Sequence, residues 1–316
     1  NIKNSLLYGI NLLFVSNIPT FTTIAIILIA RYLNTMDGLI TFILHNQSLY
    51  ENVKAIIHFK NEFIKCRDPY KRIIDILDTD NIDKGYYVPE NDITGIIEFK
   101  DIKFKYEKTD KYILDNFNFK INSGDRIAII GESGSGKSTL VKTIIGLLSP
   151  ESGNLLIDDV DINIYDNKWI KSKIGYVAQD SVLFSDTIAN NIAYGYDEAT
   201  RYDIEYAAKQ ANAHNFIMKL PNKYETKING TELTSLSGGQ KQRISIARAL
   251  IRKPKIVIFD EATSALDPKC EEIVQNTIRN CFKDKNITII IIAHRKSALE
   301  LADKVYKFEN SKLLLT

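Results

Sequence analysis

The chain has 316 residues, with 41 Lys or Arg against 39 Asp or Glu, a formal net charge of +2 and 45% hydrophobic residues. This near-neutral balance, with no block of Lys or Arg, argues against a nucleic-acid partner. The three cysteines, Cys66, Cys270 and Cys281, are odd in number and lack metal-ligand spacing, so they predict reduced thiols at a cytosolic face and not a disulfide framework.

From Asn4 to Ala30 there is no charged residue, and Leu, Ile, Phe and Val dominate. A helix spans a bilayer with about 20 such residues. The run is too long for a signal peptide, and no small-residue cleavage site follows it. Asn11, Asn17 and Pro19 interrupt it, as a helix packed against others tolerates. After a turn near 34–38, the stretch Leu39 to Phe63 is less apolar and carries His45, Asn46, Gln47, Glu51 and Lys54. Its periodic Ile, Leu and Phe predict a long helix with one wet face, projecting into the cytosol. Polar residues at membrane depth fit a translocation path, and fit packing or cytosolic positions equally well. The expected division is two transmembrane helices in 1–67, a linker in 68–95 rich in Asp, Asn and Tyr, and one further domain in 96–316.

Within that domain, Arg126 to Ile130 is a short apolar run, as expected of a strand buried on both faces of a parallel sheet. It leads into Gly131-Glu132-Ser133-Gly134-Ser135-Gly136-Lys137-Ser138-Thr139, which fits G-x-x-x-x-G-K-[ST] at every fixed position. Glycines let the backbone turn so that successive N–H groups face a polyphosphate. The helix expected from Leu140 to Leu148 adds its positive end. Lys137 would reach the β- and γ-phosphates, and the Ser138 hydroxyl would bind Mg²⁺.

Three further apolar runs end in polar residues: Ile174 to Ala178 before Gln179, Ile256 to Phe259 before Asp260 and Glu261, and Ile287 to Ala293 before His294. Ligands of open α/β sheets bind at the carboxyl ends of strands, where all these residues would gather. Asp260 is placed to hold Mg²⁺ through water, and Glu261 to orient or deprotonate an attacking water. Between them, Leu236-Ser237-Gly238-Gly239-Gln240 precedes a helical pattern over Lys241 to Ile251. It is a second anion-binding helix start. One ATP needs one cradle, so the second suggests a ligand shared between subunits.

Residues 96–310 resemble the nucleotide-binding domain of an ATP-binding cassette (ABC) transporter. LSGGQ is similar to that family's signature motif, GESGSGKST to its Walker A motif and IVIFDE to its Walker B motif. Gln179 matches the Q-loop glutamine, Ser264 to Asp267 the D-loop, and His294 the switch histidine. Tyr106 matches the aromatic that stacks on adenine, and it also continues the alternation of Ile102 and Phe104. Ala207 to Tyr224 and SGGQKQRISIARAL are especially similar to subfamily B exporters. The resemblance implies an α/β P-loop NTPase cassette with an antiparallel β subdomain and a helical signature subdomain, preceded by an all-α transmembrane segment.

It further implies an ATPase with ATP and Mg²⁺ as ligands, the cation held by Ser138, Gln179 and Asp260, and Glu261, His294 and Gln179 as the catalytic set. It implies a head-to-tail dimer with a second half-transporter, identical or different. Each nucleotide would lie between Tyr106 and the Gly131–Thr139 loop of one subunit and Ser237, Gly238, Gly239 and Gln240 of the other, with Asp267 nearby. Two departures stand out. Asn229 to Ser237 lacks the family's Gly-Glu-Arg-Gly-like loop, with Glu232 as the one acidic candidate, and the chain ends at Thr316 where relatives continue. The leading expectation is an exporter subunit in a lipid bilayer with its cassette in the cytosol, and an unreadable substrate. A soluble ABC-type ATPase of translation or DNA repair, and a degenerate cassette, are the competing classes.

Overall fold

The computed structural model describes residues 2–33, 37–77, 85–107, 109–132, 134–228, 236–262, 268–281, 286–293 and 299–316. The chain divides into two units, Asn1–Asn81 and Ile82–Thr316.

The first unit is a helical hairpin, α1 (Ile2–Tyr32) and α2 (Leu39–Leu77). Pro19 lies inside α1, where a proline removes one helical donor. The hydroxyls of Thr22 and Thr23 donate to the Pro19 carbonyl at 3.0 and 2.7 Å. Asn46 Nδ2 of α2 donates to Thr22 Oγ1 at 3.0 Å, a polar tie between the two helices. Phe21, Leu28, Ile29, Phe42, Leu49 and Phe59 are exposed along both. Among the described residues, no helix is long and apolar enough to cross a membrane. Helix α2 runs through Pro69 to Leu77, so the start of the stretch expected as linker is helical.

The second unit contains two sheets. Strands β1 (Ile97–Phe104), β2 (Leu114–Ile121), β4 (Ser152–Ile157) and β5 (Val160–Asp161) form an antiparallel sheet in the order β2-β1-β4-β5. The larger sheet has the order β10-β9-β3-β8-β7-β6, from β3 (Arg126–Ile130), β6 (Ile174–Val177), β7 (Ile256–Asp260), β8 (Thr288–Ile292), β9 (Lys304–Glu309) and β10 (Lys312–Leu315). All its pairings are parallel except β10 on β9. Its central strands are the runs richest in Ile and Val, with all of β8 buried, because helices and the second sheet cover both faces.

Helix α3 (Lys137–Ile144) and the antiparallel sheet close one face over Phe99, Phe117, Ile127, Leu140, Ile258 and Phe308. The other face packs on α5 (Ile188–Ala193), α6 (Arg201–Gln210), α8 (Gly238–Leu250) and α9 (Pro268–Cys281). Short helices α4 (Asn167–Ser172) and α7 (His214–Ile217) complete the fold. The α/β cassette, the antiparallel sheet and a helical subdomain all match the expected class.

Two local features position the site. In β1 the pairing shifts between Phe99 and Ile102, with Asp101 at φ 51°, a bulge that returns Ile102 and Phe104 to the core side. Gly153 faces that bulge, and a Cβ there would lie 2.4 Å from the Asp101 carbonyl oxygen. The bulge therefore sets the parity that Tyr106 inherits just beyond the strand. In addition, residues 85–93 pack within this unit. Asp166 N–H donates to the Tyr87 carbonyl at 2.9 Å, and the Tyr87 and Tyr165 rings lie 5.6 Å apart.

Candidate nucleotide site

Strand β3 ends at Ile130, and the chain turns through the glycine loop into α3. Each glycine has its own reason. A Cβ on Gly131 would stand 2.8 Å from the Phe308 carbonyl oxygen. Gly134 has φ 78°, and Gly136 has φ 117° with Ile113 Cγ2 only 2.6 Å from where a Cβ would be. Gly136 caps α3 without a side-chain bond, so the first amides of the helix face the loop unsatisfied by a cap. The Ser135 hydroxyl is buried and has no hydrogen-bond partner. An orphaned donor inside a loop of turned amides suits a polyanion.

Lys137 is 5% exposed, and its Nζ donates to the carbonyls of Gly131 and Glu132, both at 2.7 Å. Burial pushes its pKa down, while the nearby Glu261 and Asp260 charges push it back up. Its ammonium is thus held inside its own loop, close to both carboxylates. Ser138 is exposed and Thr139 buried. Tyr106 OH lies 3.3 Å from Thr139 Oγ1, and its ring meets Phe104 edge-on at 5.1 Å. These contacts hold the aromatic beside the start of α3. A cleft of about 460 Å³ adjoins the loop, with Ile113, Glu132, Ser135, Lys307 and Phe308 on its walls, so the loop's flank is also accessible.

Asp260 ends β7 half-buried. Burial raises its pKa, with a further rise from Glu261, while a hydrogen bond from Tyr176 opposes them. The phenol donates to Asp260 Oδ2 at 3.1 Å, and burial, reinforced by that carboxylate, raises the phenol's own pKa. Glu261 adopts φ 48°, a left-handed conformation that costs a non-glycine residue about 1–3 kcal/mol. Gln179 is exposed two residues beyond β6. Ser138, Gln179 and Asp260 thus offer hydroxyl, amide and carboxylate oxygens.

Ser237 caps α8. Its Oγ accepts from Gln240 N at 3.3 Å, and its N–H donates to Gln240 Oε1 at 2.9 Å. This reciprocal capping box leaves Gly238 exposed at the helix start. Among the described residues, no hydrogen bond joins Ser237–Gln240 to the glycine loop. Helix α8 is instead tied to the segment after β6. Ser181 hydroxyl donates to Gln242 Oε1, and Arg248 Nη1 donates to the Val182 carbonyl at 3.0 Å.

The structure therefore brings Tyr106, the glycine loop, Lys137, Asp260 and Glu261 together. Ser133, Asp267 and His294 lie outside the described residues, as does most of the loop before Ser237. Sequence reasoning missed Tyr176, Ile113 and Phe308. Tyr176 carried a signal, as the one ring with a hydroxyl in the apolar run before Gln179. Phe308 carried none, because its strand inserts beside β3 from the far end of the chain.

Residues 114–264 match the ABC transporter family. A putative multidrug export ATP-binding/permease protein of Bacillus subtilis, YgaD, is 39% identical over 282 residues, which are 89% of this chain and 48% of YgaD. The alpha-hemolysin translocation ATP-binding protein HlyB of Escherichia coli is 44% identical over 223 residues, 71% of this chain and 31% of HlyB. The structure of a bacterial Atm1-family ABC exporter with ATP bound is similar at a TM-score of 0.67 and 34% identity, covering 87% of this chain and 48% of that one. Residues 114–264 thus carry the ABC transporter domain, and the relatives that the chain resembles are subfamily B-type exporters. It spans about half, or less, of the length of these relatives.

Proposed function

We propose that this chain couples ATP binding and hydrolysis to export across a membrane. The observation that carries the reading is Lys137, buried in a glycine-turned loop beside Asp260 and Glu261. Lys137 would leave its carbonyl partners for the phosphates of ATP, whose charge the loop amides and the α3 dipole also meet. Tyr106 would stack on adenine. Glu261 would take the proton of the attacking water, with Gln179 and His294 orienting the γ-phosphate and water. The oxygen donors Ser138, Gln179 and Asp260 fit Mg²⁺, which takes its remaining ligands from phosphate and water. Bound there, Mg²⁺ would neutralise charge that develops on the phosphates. The ATP-bound Atm1-family relative supports the choice of nucleotide.

Residues 1–67 are read as part of a membrane domain, 68–95 as its connection and 96–316 as the cassette. The charge-free stretch 4–30, the exposed apolar side chains of α1 and α2 and the Asn46–Thr22 tie between them support this reading. A second half-transporter, identical or different, would complete each nucleotide site with its Ser237, Gly238, Gly239 and Gln240, and Asp267 would lie at the same junction. The cassette would face the cytosol. Two measurements test the proposal: the full-length protein sediments with membranes and resists extraction at high pH, and its ATP turnover is lost in Lys137→Ala. Release into the soluble fraction would instead support a soluble ABC-type ATPase.

A further inference from the structure

We propose that Tyr176 is a positioning residue for Asp260, holding that carboxylate in the orientation that receives Mg²⁺ with the nucleotide; this rests on the ATPase reading above. Tyr176 and Asp260 stand on neighbouring parallel strands, with Tyr176 in register with Ile258. The hydroxyl reaches along the ladder to Oδ2 at 3.1 Å. An ionised carboxylate can only accept, so the donor's place fixes which oxygen is occupied. Among the described residues, this is the one side-chain hydrogen bond that Asp260 receives, which leaves Oδ1 as the oxygen turned to other ligands.

The ring itself has little freedom. It packs on the apolar core between the two sheets, and its strand is pinned to β7 over Ile174–Val177. The same strand runs on to Gln179, the other proposed ligand arriving from this edge of the sheet. One phenol thus links the strand that delivers Gln179 to the carboxylate at the end of β7. Partners that orient a metal ligand commonly contribute about 10–100-fold in metal affinity. A carboxylate acting through water falls at the lower end.

The test is binding of a fluorescent ATP analogue to the full-length protein, titrated with Mg²⁺ and repeated in EDTA. Tyr176→Phe keeps the ring and removes only the donor. It should raise the Mg²⁺ concentration for half-maximal response about tenfold, while affinity in EDTA stays within about twofold of wild type. On an Asp260→Ala background the same change should add nothing, because Tyr176 acts only through that carboxylate. An unshifted Mg²⁺ response, an equal loss in EDTA, or a further shift on the Asp260→Ala background would overturn the inference. Wild-type binding indifferent to Mg²⁺ would sink the ATPase reading as well. A responsive wild type with an unshifted Tyr176→Phe sinks this inference alone.

Discussion

The amide of Glu261 donates to the carbonyl of Ile292 at 3.0 Å, which fastens the residue after Asp260 to the end of the neighbouring strand. Glu261 is thereby held at φ 48°, with its backbone out of the strand path. The bond stabilises a conformation that an unconstrained glutamate would rarely adopt. Backbone strain held in place beside a cradle for phosphate is expected of a group that must be aimed before substrate arrives.

Glu261→Gln keeps that backbone and the side-chain shape while removing the proposed base. ATP binding should persist, and turnover should fall by about a hundredfold or more, the scale of losing a general base. Steady-state hydrolysis alongside equilibrium nucleotide binding checks this. Turnover within a few-fold of wild type would remove Glu261 from the role.

The glycine loop offers a contrast between two alanine substitutions. At Gly134 a Cβ would meet nothing within 4 Å, so Gly134→Ala carries only the penalty of its φ of 78°, about 1–2 kcal/mol. Gly136→Ala adds a collision with Ile113 and Phe308 at 2.6 and 3.0 Å. Gly136→Ala should therefore lower the melting temperature and ATP affinity more than Gly134→Ala. Equal losses would show that the packing of the loop against Phe308 is incidental.

Much of this site was legible from the chain alone, for a physical reason. Parallel strands covered on both faces must be apolar throughout, so Ile127–Ile129, Ile256–Phe259 and Ile289–Ile292 declare themselves, and polar residues at their ends stand out. The helix start at Ser237 was also readable, whereas its capping box with Gln240 went unread although the S-x-x-Q spacing encodes one. The Tyr176–Asp260 bond was not legible. It depends on β6 lying beside β7, and no periodicity encodes strand order. The docking of Tyr87 on Asp166 was hidden similarly, inside a stretch whose Asp, Asn and Pro content reads as linker.

Alkaline pH should weaken the fold through its buried phenols. Tyr165 donates to the Ile157 carbonyl at 2.9 Å, and burial, with the charge of Asp158, pushes its pKa from 10.0 up to about 12. Tyr224 is likewise pushed up to about 12, mainly by burial. The native state keeps these protons at a pH where the unfolded chain has lost them. Stability is therefore intact below about pH 10 and declines as pH rises toward 12. Denaturant midpoints between pH 9 and 12 should fall, with a shallower slope in Tyr165→Phe. That variant should also be less stable at neutral pH by about 1 kcal/mol, for the lost bond. An unchanged slope would show that Tyr165 ionises equally readily folded and unfolded.

The last prediction concerns the shared site. Each chain carries one glycine loop and one signature helix, so two copies related by a two-fold axis would form two equivalent composite sites. Ser237→Arg places bulk and charge where a neighbouring γ-phosphate is expected. It also breaks the capping box with Gln240, at a cost of about 1 kcal/mol to α8, so Ser237→Ala serves as the control for lost capping alone. Ser237→Arg should abolish turnover while each subunit still binds ATP through its own Lys137. Lys137→Ala should also be inactive, for want of binding. When the two inactive proteins are mixed, one composite site in the mixed dimer carries both defects and the other carries neither. Hydrolysis should return in proportion to mixed dimers, to at most about half of wild type per dimer if the sites fire independently. A mixture that stays silent would mean that both sites must act together or that the natural partner is a different half-transporter. Crosslinking of the mixed pair distinguishes those two cases. Full activity of Ser237→Arg as a monomer would end the shared-site mechanism, because no second chain would then be needed to complete the nucleotide's surroundings.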